Sequence, residues 1–546
     1  MEELRMMRKI LKSEEAVEKI SDNSVVAISG FNLLVAPEYL ILKLYERYKQ
    51  TGHPKGLFLE VNPIPTAPGR VLDKIATELY NDPDQEFLSG ILVTYPGWSP
   101  TLQKMIQENR IEGYTWSIGT ASWFFREVAR GLPGVLTRVG LGTFLDPRED
   151  GGYLNELAKK RKRCKIEVVN IQGREYLLYQ APKPTVALIR GTTADELGNI
   201  TTEKEGSFTE ILNLAQASKA EPNKGIVIAQ VERIARYPSL NPQDIKVPGP
   251  LVDYVVVAPP EFHMQSANIH YDPRVSGELI PPITSNPALK SPLNTRKVIA
   301  RRVLLEMINL VKKLGKPILV NLGIGIPTEV AEIATEEGLQ EYVLTTVESG
   351  PFGGIALKGP DFGASIGPFA IISQPDQFAN YEGGVIDAAS LGFMEVDEKG
   401  NVNPSLLPGR LPGPGGFPVI SYGSPRMFFA GHFTAGEKKL EIRNGKLKIV
   451  KDGEIEKFVK NVYKIVYNAA LGLEKGQEVI YITERAVFRL TEKGLVLEEY
   501  APGIDVDKDI LDRMQFQPKI SRKLDEMDER LFKKGLMGLK EDIKTI

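Results

Sequence analysis

The sequence predicts an α/β protein made of two similar, open, Rossmann-like domains, and three observations carry that expectation. Apolar β-branched runs alternate with amphipathic stretches at helical spacing for most of the length. A proline-rich segment divides the chain near its middle, and the two halves open alike. At 546 residues the chain is also too long for one ordinary core.

In the first half, strands are expected at Ser24–Ser29, Gly56–Val61, Val186–Ile189, Gly225–Gln230 and Tyr254–Ala258. Helices are expected at Pro37–Gln50 and at Pro100–Asn109, with Ser99 as the N-cap of the latter. The divider runs from Asp272 to Asn294, where Pro273, Pro281, Pro282, Pro287 and Pro292 interrupt any periodicity. It sets the boundaries at 1–272 and 295–546, with a linker over 273–294. The second half brings a helix over Leu293–Leu314, a strand over Ile318–Leu322, a helix over Thr328–Glu337 and a strand over Tyr342–Val347. Pro327 opens the shorter helix and Gly338 closes it. SVVAISGFNLLVAPEYLILKLYERY in one half and PILVNLGIGIPTEVAEIATEEG in the other share the order strand, glycine turn, proline, helix, a structural repeat without sequence identity. The segment Leu407–Pro418, rich in proline and glycine, reads as an irregular loop over a site. The charged stretch from Asp507 onward reads as a peripheral helix pair.

Composition narrows the function classes. Lys plus Arg (68) nearly balances Asp plus Glu (70), so no basic field argues for nucleic acid or an anionic membrane. No apolar run reaches the roughly 18–20 residues that span a bilayer, and the N-terminus mixes charge with apolar positions instead of forming a signal-peptide core. A cytoplasmic enzyme is expected. Cys164 is the only cysteine, which excludes intrachain disulfides and cysteine-rich metal sites. It follows the basic run Lys159–Arg163, whose cations would lower its pKa, although a solvated charged segment before a strand at Ile166–Val169 is the plainer reading. His53, His263, His270 and His432 show no ligand spacing, so no metal site is expected.

Three glycine-rich turns carry the chemistry. In Thr345-Thr346-Val347-Glu348-Ser349-Gly350-Pro351-Phe352-Gly353-Gly354 a carboxylate ends an apolar strand, and the glycines after it allow a tight turn and close approach of a ligand. At the carboxyl edge of an open sheet, where ligands bind, Glu348 is placed to act as a nucleophile. The plainer alternatives are a helix cap or an ion pair with a lysine such as Lys358. Val320–Glu329 runs from strand through Gly323, Ile324, Gly325 and Ile326 to Pro327 and a helix N-terminus, whose free N–H groups suit a phosphate. Thr328 stands where a dinucleotide fingerprint has its third glycine, which disfavours a nucleotide-dependent oxidoreductase. Asn380–Asp387 carries Gly383 and Gly384, whose N–H groups suit an oxyanion or simply turn the chain.

Together these residues resemble the family I CoA-transferases, particularly the single-chain acetate/propionate (short-chain acyl) branch. The matching blocks are TVESGPFGGI, VNLGIGIP and YEGGVIDAASLGFMEVDEKGNVN, with VALIRGTTADELGNIT, IVIAQVERI and VPGPLVDYVVVAP in the first half. The resemblance spans roughly residues 15–530 and implies an α-like domain followed by a β-like domain that carries the catalytic glutamate. It implies exchange of coenzyme A between an acyl-CoA, such as acetyl-, propionyl- or acetoacetyl-CoA, and a small carboxylate. Glu348 would form an acyl anhydride and then a glutamyl-CoA thioester. By the same resemblance Gly384 would donate to an oxyanion, Asn380 would contact CoA, and the turn Gly323–Pro327 would lie against it. CoA is then a substrate, with no permanently bound cofactor, and the chain is expected to be a homo-oligomer. An acyl-CoA hydrolase and a CoA-binding relative without transfer activity are the alternatives.

The chain departs from the family in two places. Asn32-Leu33-Leu34 follow Ser29-Gly30-Phe31 where relatives carry more glycine. PTAPGRVLDKIA and LVTYPGWSP stand where relatives carry more glycines and a histidine. Both departures bear on the acyl pocket and leave the nucleophile untouched.

Overall fold

Seven parallel strands form the first sheet: β1 (Val25–Ile28), β2 (Leu57–Val61), β3 (Leu88–Val93), β4 (Glu112–Tyr114), β5 (Val186–Arg190), β6 (Ile226–Val231) and β7 (Tyr254–Val257), in the order β7-β6-β5-β1-β2-β3-β4. The structure, a computed structural model, describes residues 9–222, 224–281 and 291–544. Every residue of β2 and β5 is buried, as befits a parallel sheet covered on both faces, and this is why these runs are mostly apolar instead of alternating, with Glu60 and Arg190 as their buried polar exceptions. Helix α1 (Glu38–Thr51) turns Leu40, Ile41 and Leu44 inward. Helix α2 (Ile118–Ala129) buries Phe124, Phe125 and Val128. The helix expected after Ser99 runs Pro100–Gln107, but the Ser99 hydroxyl donates to Asp73 Oδ1 at 2.8 Å instead of capping it.

The second sheet has ten strands. Its parallel part comprises β8 (Ile318–Leu322), β9 (Val343–Thr346), then, beyond the short antiparallel strands β10 (Pro351–Phe352) and β11 (Ala370–Ile371), β12 (Ala388–Leu391), β13 (Arg426–Ala430) and β14 (Glu478–Ile482). The strands β15 (Ala486–Thr491), β16 (Gly494–Tyr500) and β17 (Lys519–Glu526) extend it, giving the order β11-β10-β9-β8-β12-β13-β14-β15-β16-β17. The block β9-β8-β12-β13-β14 repeats the block β2-β1-β5-β6-β7 strand for strand, all parallel, so the repeat read from the two openings extends to five strands. Helix α3 (Thr295–Leu314) is capped by Asn294, whose side chain accepts from Lys297 N. Helix α4 (Ile326–Glu336) starts two residues before the expected point, because Gly325 at φ +100° turns the chain into it. Helices α5 (Gln374–Glu382) and α6 (Phe417–Gly423) complete the part that concerns the site.

The first sheet draws on residues 25–257 and the second on 318–526, so no strand crosses between them. Of the intervening linker, residues 282–290 lie outside the described part of the chain. The halves nonetheless share one core: Trp123 Nε1 on α2 donates to Pro375 O on α5 at 2.8 Å, and a single apolar cluster contains both Phe124 and Phe378.

Two expectations are corrected. The stretch from Asp507 is not a helix pair; after short turns it forms the edge strand β17, parallel to β16. Its residues are mostly exposed and charged, a common defence of a sheet edge, and this hides the strand alternation. Cys164 is not in a solvated segment: it is buried at 1 % exposure beside the hairpin strand Lys165–Ile171, and burial pushes its thiol pKa up despite Arg163. Among the described residues no helix is long and apolar enough to cross a membrane. The native protein should therefore leave Cys164 unmodified by a thiol-specific reagent, and one thiol should appear on denaturation; stoichiometric labelling of the folded protein would contradict this burial.

Candidate active site

Glu348 lies at the tip of the hairpin joining β9 to β10. Val347 N–H donates to Pro351 O at 2.9 Å and Gly350 N–H to Val347 O at 3.0 Å, leaving Glu348, Ser349 and Gly350 to make the turn. Gly350 sits at φ +128° with the Ile372 carbonyl where a Cβ would stand, so this turn requires glycine. The strand end is pinned from α5. The Tyr381 hydroxyl donates to Thr346 Oγ1 at 3.0 Å and accepts from Asn321 Nδ2 and Gln377 Nε2 at 3.1 and 3.0 Å. The first half also holds the hairpin: Ser207 Oγ donates to Ser349 O at 2.6 Å, and Asn32 Nδ2 donates to Phe362 O at 2.8 Å.

The carboxylate opens into a cavity of about 420 Å³ between the two sheets, within the size range typical of small-molecule sites. Its walls are loops that leave the carboxyl ends of strands in both halves. From the second half come Gly323–Ile326 after β8, Leu391–Met394 after β12 and Ala430–His432 after β13. From the first half come Phe31 and Asn32 after β1, Pro63 after β2, Tyr95 and Trp98 after β3 and Ile118 after β4. This is the sheet edge at which α/β folds bind ligands, here doubled. The mouth lies at Ile324, which is 50 % exposed, and Gly325.

The loop expected to cover a site does so. Gly415 N–H donates to Thr94 O at 3.1 Å and Gly415 O accepts from Ile118 N–H at 2.9 Å, which ties the loop to the first half. Gly416 then passes so close to Glu348 that a Cβ on it would stand 2.7 Å from the carboxyl carbon. Its backbone φ is −80°, so this glycine serves close approach, not an unusual turn.

Burial raises Glu348 from an ordinary 4.5 to about 7, against a smaller opposing pull from the Gly416 N–H. No lysine or arginine pairs with it among the described residues; Lys358 pairs with Glu332 instead. The cations are on the far wall. Lys457 is buried with its Nζ 4.0 Å from the centre of the Phe393 ring, and burial brings it down to about 7, with Glu484 opposing and Lys438 reinforcing the shift. His432, held down to about 4 by burial, is neutral and hydrogen-bonded to Thr295 Oγ1 at 3.0 Å.

Of the residues singled out from sequence, the fold brings Glu348, Gly323, Ile324, Gly325 and Ile326 to this cavity. Pro327 lies one step behind, buried in the first turn of α4. Asn380 and Gly384 are not in the lining. Asn380 Nδ2 donates to Gln377 Oε1 at 3.2 Å within its own helix, and Gly384 N–H donates to Tyr381 O at 3.2 Å, closing that helix. Of the unusual first-half loop only Asn32 joins Phe31 in the wall. Leu33 and Leu34 turn into the core, at 0 and 1 % exposure. Gly416, Gly392, Tyr95 and Trp98 lie in segments singled out from sequence but were not themselves named as site residues, and Lys457 is an addition that no local motif marks. Among the described residues no group of three or more His, Cys, Asp or Glu side chains is placed to hold a metal ion.

An open two-sheet fold with a glutamate at the shared carboxyl edges is the arrangement expected of a coenzyme A transferase, and the comparisons show that class. The family model described as Coenzyme A transferase matches residues 10–258. A caffeate CoA-transferase of Acetobacterium woodii is 40 % identical over 98 % of this chain and 99 % of its own. An acetate CoA-transferase of Escherichia coli K12, YdiF, is 38 % identical over 97 % of this chain and 96 % of its own. The crystal structure of the acyl-CoA transferase YdiF from E. coli O157:H7, as a thioester complex with CoA, superposes with a TM-score of 0.87 at 36 % identity, covering 98 % of both chains. The chain belongs to the coenzyme A transferase family, in its single-chain family I type.

The raised pKa of Glu348 has a consequence for stability. A carboxyl that holds its proton more tightly when folded contributes stability below its unfolded pKa and loses that contribution as pH rises through about 7. Glu348→Gln should therefore match the parent near pH 4 and exceed it at pH 8 by on the order of 3 kcal/mol. Unfolding followed across that pH range checks this, and a difference that does not grow with pH refutes it.

Proposed function

We propose that the chain transfers coenzyme A between an acyl-CoA and a free carboxylate by a ping-pong route through Glu348. One observation supports this above the others: a carboxylate buried at 8 % exposure without a cation, at the end of a cavity that opens to solvent beside a helix N-terminus. Such a group is poorly hydrated and needs no general base to attack a thioester. In the first step a Glu348 oxygen bonds to the thioester carbonyl carbon, the C–S bond breaks and CoA leaves as thiolate, giving a mixed anhydride. The thiolate then attacks the glutamyl carbonyl and expels the donor's carboxylate, leaving a glutamyl-CoA thioester. An acceptor carboxylate reverses both steps, so atoms and charge balance without an added acid or oxidant.

Each addition builds negative charge on a carbonyl oxygen next to Glu348. We assign the donor role there to the Gly416 N–H, in place of the Gly384 N–H expected from sequence, because Gly416 adjoins the carboxylate while Gly384 closes its own helix. CoA would enter at Ile324, with its phosphates toward the α4 N-terminus or toward Lys438 and Lys457. The clamped Gly413–Phe417 loop would keep water from the thioester, which favours transfer over hydrolysis. The relatives are named for acetate and for caffeate, so the names alone leave the acyl group open.

Incubation with acetyl-CoA and no acceptor should add the mass of CoA less one water to the peptide carrying Glu348. Borohydride should trap the enzyme inactive at that stage, and Glu348→Ala should abolish both effects. A chain that turns over while never carrying the adduct excludes the route. Gly416→Ala keeps the N–H but sets a Cβ against the Glu348 carboxyl group, pushing the carboxylate off that donor; it should keep its circular dichroism and lose about 100-fold or more in kcat, the scale of a misplaced reacting group; near-normal turnover would return the donor role to another N–H.

A further inference from the structure

The two walls of the cavity differ in chemistry. The second-half wall carries Lys438, Lys457 and the free N–H groups at the start of α4. The first-half wall carries no group charged at neutral pH: Phe31, Asn32, Pro63, Tyr95, Trp98 and Ile118. Phosphates have no partner on that side, so it faces the acyl group or the acceptor acid.

We propose that this first-half wall is a ring-binding surface and that the enzyme accepts carboxylic acids bearing an aromatic ring, arylpropenoates and arylpropanoates, in preference to acetate. The inference rests on Glu348 as the covalent residue. Tyr95 and Trp98 meet edge to face, with ring centres 6.0 Å apart and planes at 69°, an arrangement that holds two rings rigid and leaves a face for a third. Gly97 between them is what permits it: a Cβ there would stand 2.6 Å from the Tyr95 ring. Phe31 and Phe362 form a second pair at 6.1 Å. The wall also reaches the nucleophile. The Cβ position of Gly415 is 3.9 Å from Tyr95 Cδ2 and 4.0 Å from Ile118 Cδ1, and the next residue is Gly416, against Glu348.

Two polar groups on this wall are unused. Neither the Tyr95 hydroxyl nor Trp98 Nε1 has a hydrogen-bond partner among the described residues; both side chains are half-buried, and partial burial raises the Tyr95 pKa. A ring hydroxyl or ether oxygen on the substrate would accept from either. Acetate, whose whole acyl body is one methyl group, would leave this wall uncovered and both donors idle.

The test uses the full chain with acetyl-CoA as donor and a panel of acceptors: cinnamate, 4-hydroxycinnamate, 3-phenylpropionate, propionate and acetate. The ring acids should exceed acetate in kcat/KM by about tenfold or more, the range that apolar pocket contacts confer. Trp98→Ala should lower the cinnamate-to-propionate ratio by about tenfold, and Tyr95→Phe should lower the 4-hydroxycinnamate-to-cinnamate ratio by about fivefold. The proposal is overturned if acetate or propionate beats every ring acid while acetyl-CoA still labels Glu348. It is overturned equally if Trp98→Ala slows all acceptors alike, which would give this wall to the pantetheine arm. Calorimetric titration with cinnamate separates the two claims. Ring acids that bind the wild type but not Trp98→Ala, in an enzyme that never forms the adduct, support the wall and refute the covalent route.

Discussion

A carboxylate held in a nearly dry cleft with no cation beside it is the constraint on which this structure turns. Left to itself the Glu348 hairpin would relax outward to hydrate its charge, because the fold gains nothing from burying it. It stays because its backbone is held from three sides: Tyr381 and Gln377 from α5, Ser207 from the first half, and the Gly416 loop from above. None of these neutralises the carboxylate. They fix its position and leave its charge exposed to whatever enters. The destabilisation this implies is of the kind that functional sites commonly carry, and it explains why the two halves share one core. Two separate domains hinged across the cleft would admit water to the group that most needs its absence.

The doubled sheet edge gives that constraint its geometry. Each five-strand block sends loops from its carboxyl ends into the same cavity, but the two sets carry different chemistry. The second half supplies the glycine turn at Gly323–Gly325, Glu348 and the lysines Lys438 and Lys457. The first half supplies apolar and aromatic surface and the anchors Thr94 and Ile118 for the covering loop. A transferase working through the hydrolysable intermediate proposed above would benefit from this division. One wall can hold CoA in place through both half-reactions while the other exchanges one carboxylate for another.

What was legible in the sequence follows from how local each signal is. Glu348 and Gly323–Ile326 declare themselves because strand, turn and helix N-terminus are adjacent in the chain, and backbone geometry forces the glycines. The five parallel strands of the first block and the first two of the second were readable because burial on both faces leaves largely apolar runs, whereas Ala388–Leu391, Arg426–Ala430 and Glu478–Ile482 were not read. Gly384 and Asn380 lie outside the cavity lining: a glycine pair after a helix looks the same in sequence whether its N–H groups face a ligand or close the helix, and here the Gly384 N–H donates back to Tyr381. Gly416 lay inside the segment read as a covering loop, yet its contact with Glu348 spans 68 positions of sequence and has no local trace. The edge strand Lys519–Glu526 was read as helical because its exposed faces carry charge in no strand-like alternation.

The departures from the family pattern are where the physics is most particular to this chain. Leu33 and Leu34, which read as intrusions into the acyl pocket, fill the core instead, so they do not narrow the site. The other departure, LVTYPGWSP, does reach the site, and it brings rings where relatives carry glycines and a histidine. A loop following a strand end can change its side chains without disturbing the sheet that positions it, whereas the hairpin at Glu348 cannot, since Gly350 admits no Cβ and Gly416 leaves no room for one. On the proposed route, backbone constraints in one half would fix the chemistry, and replaceable side chains of the other would choose the acid. Under the route proposed through Glu348, a rigid aromatic pair in the wall of the same cavity is most simply explained by a carboxylic acid that carries a ring of its own.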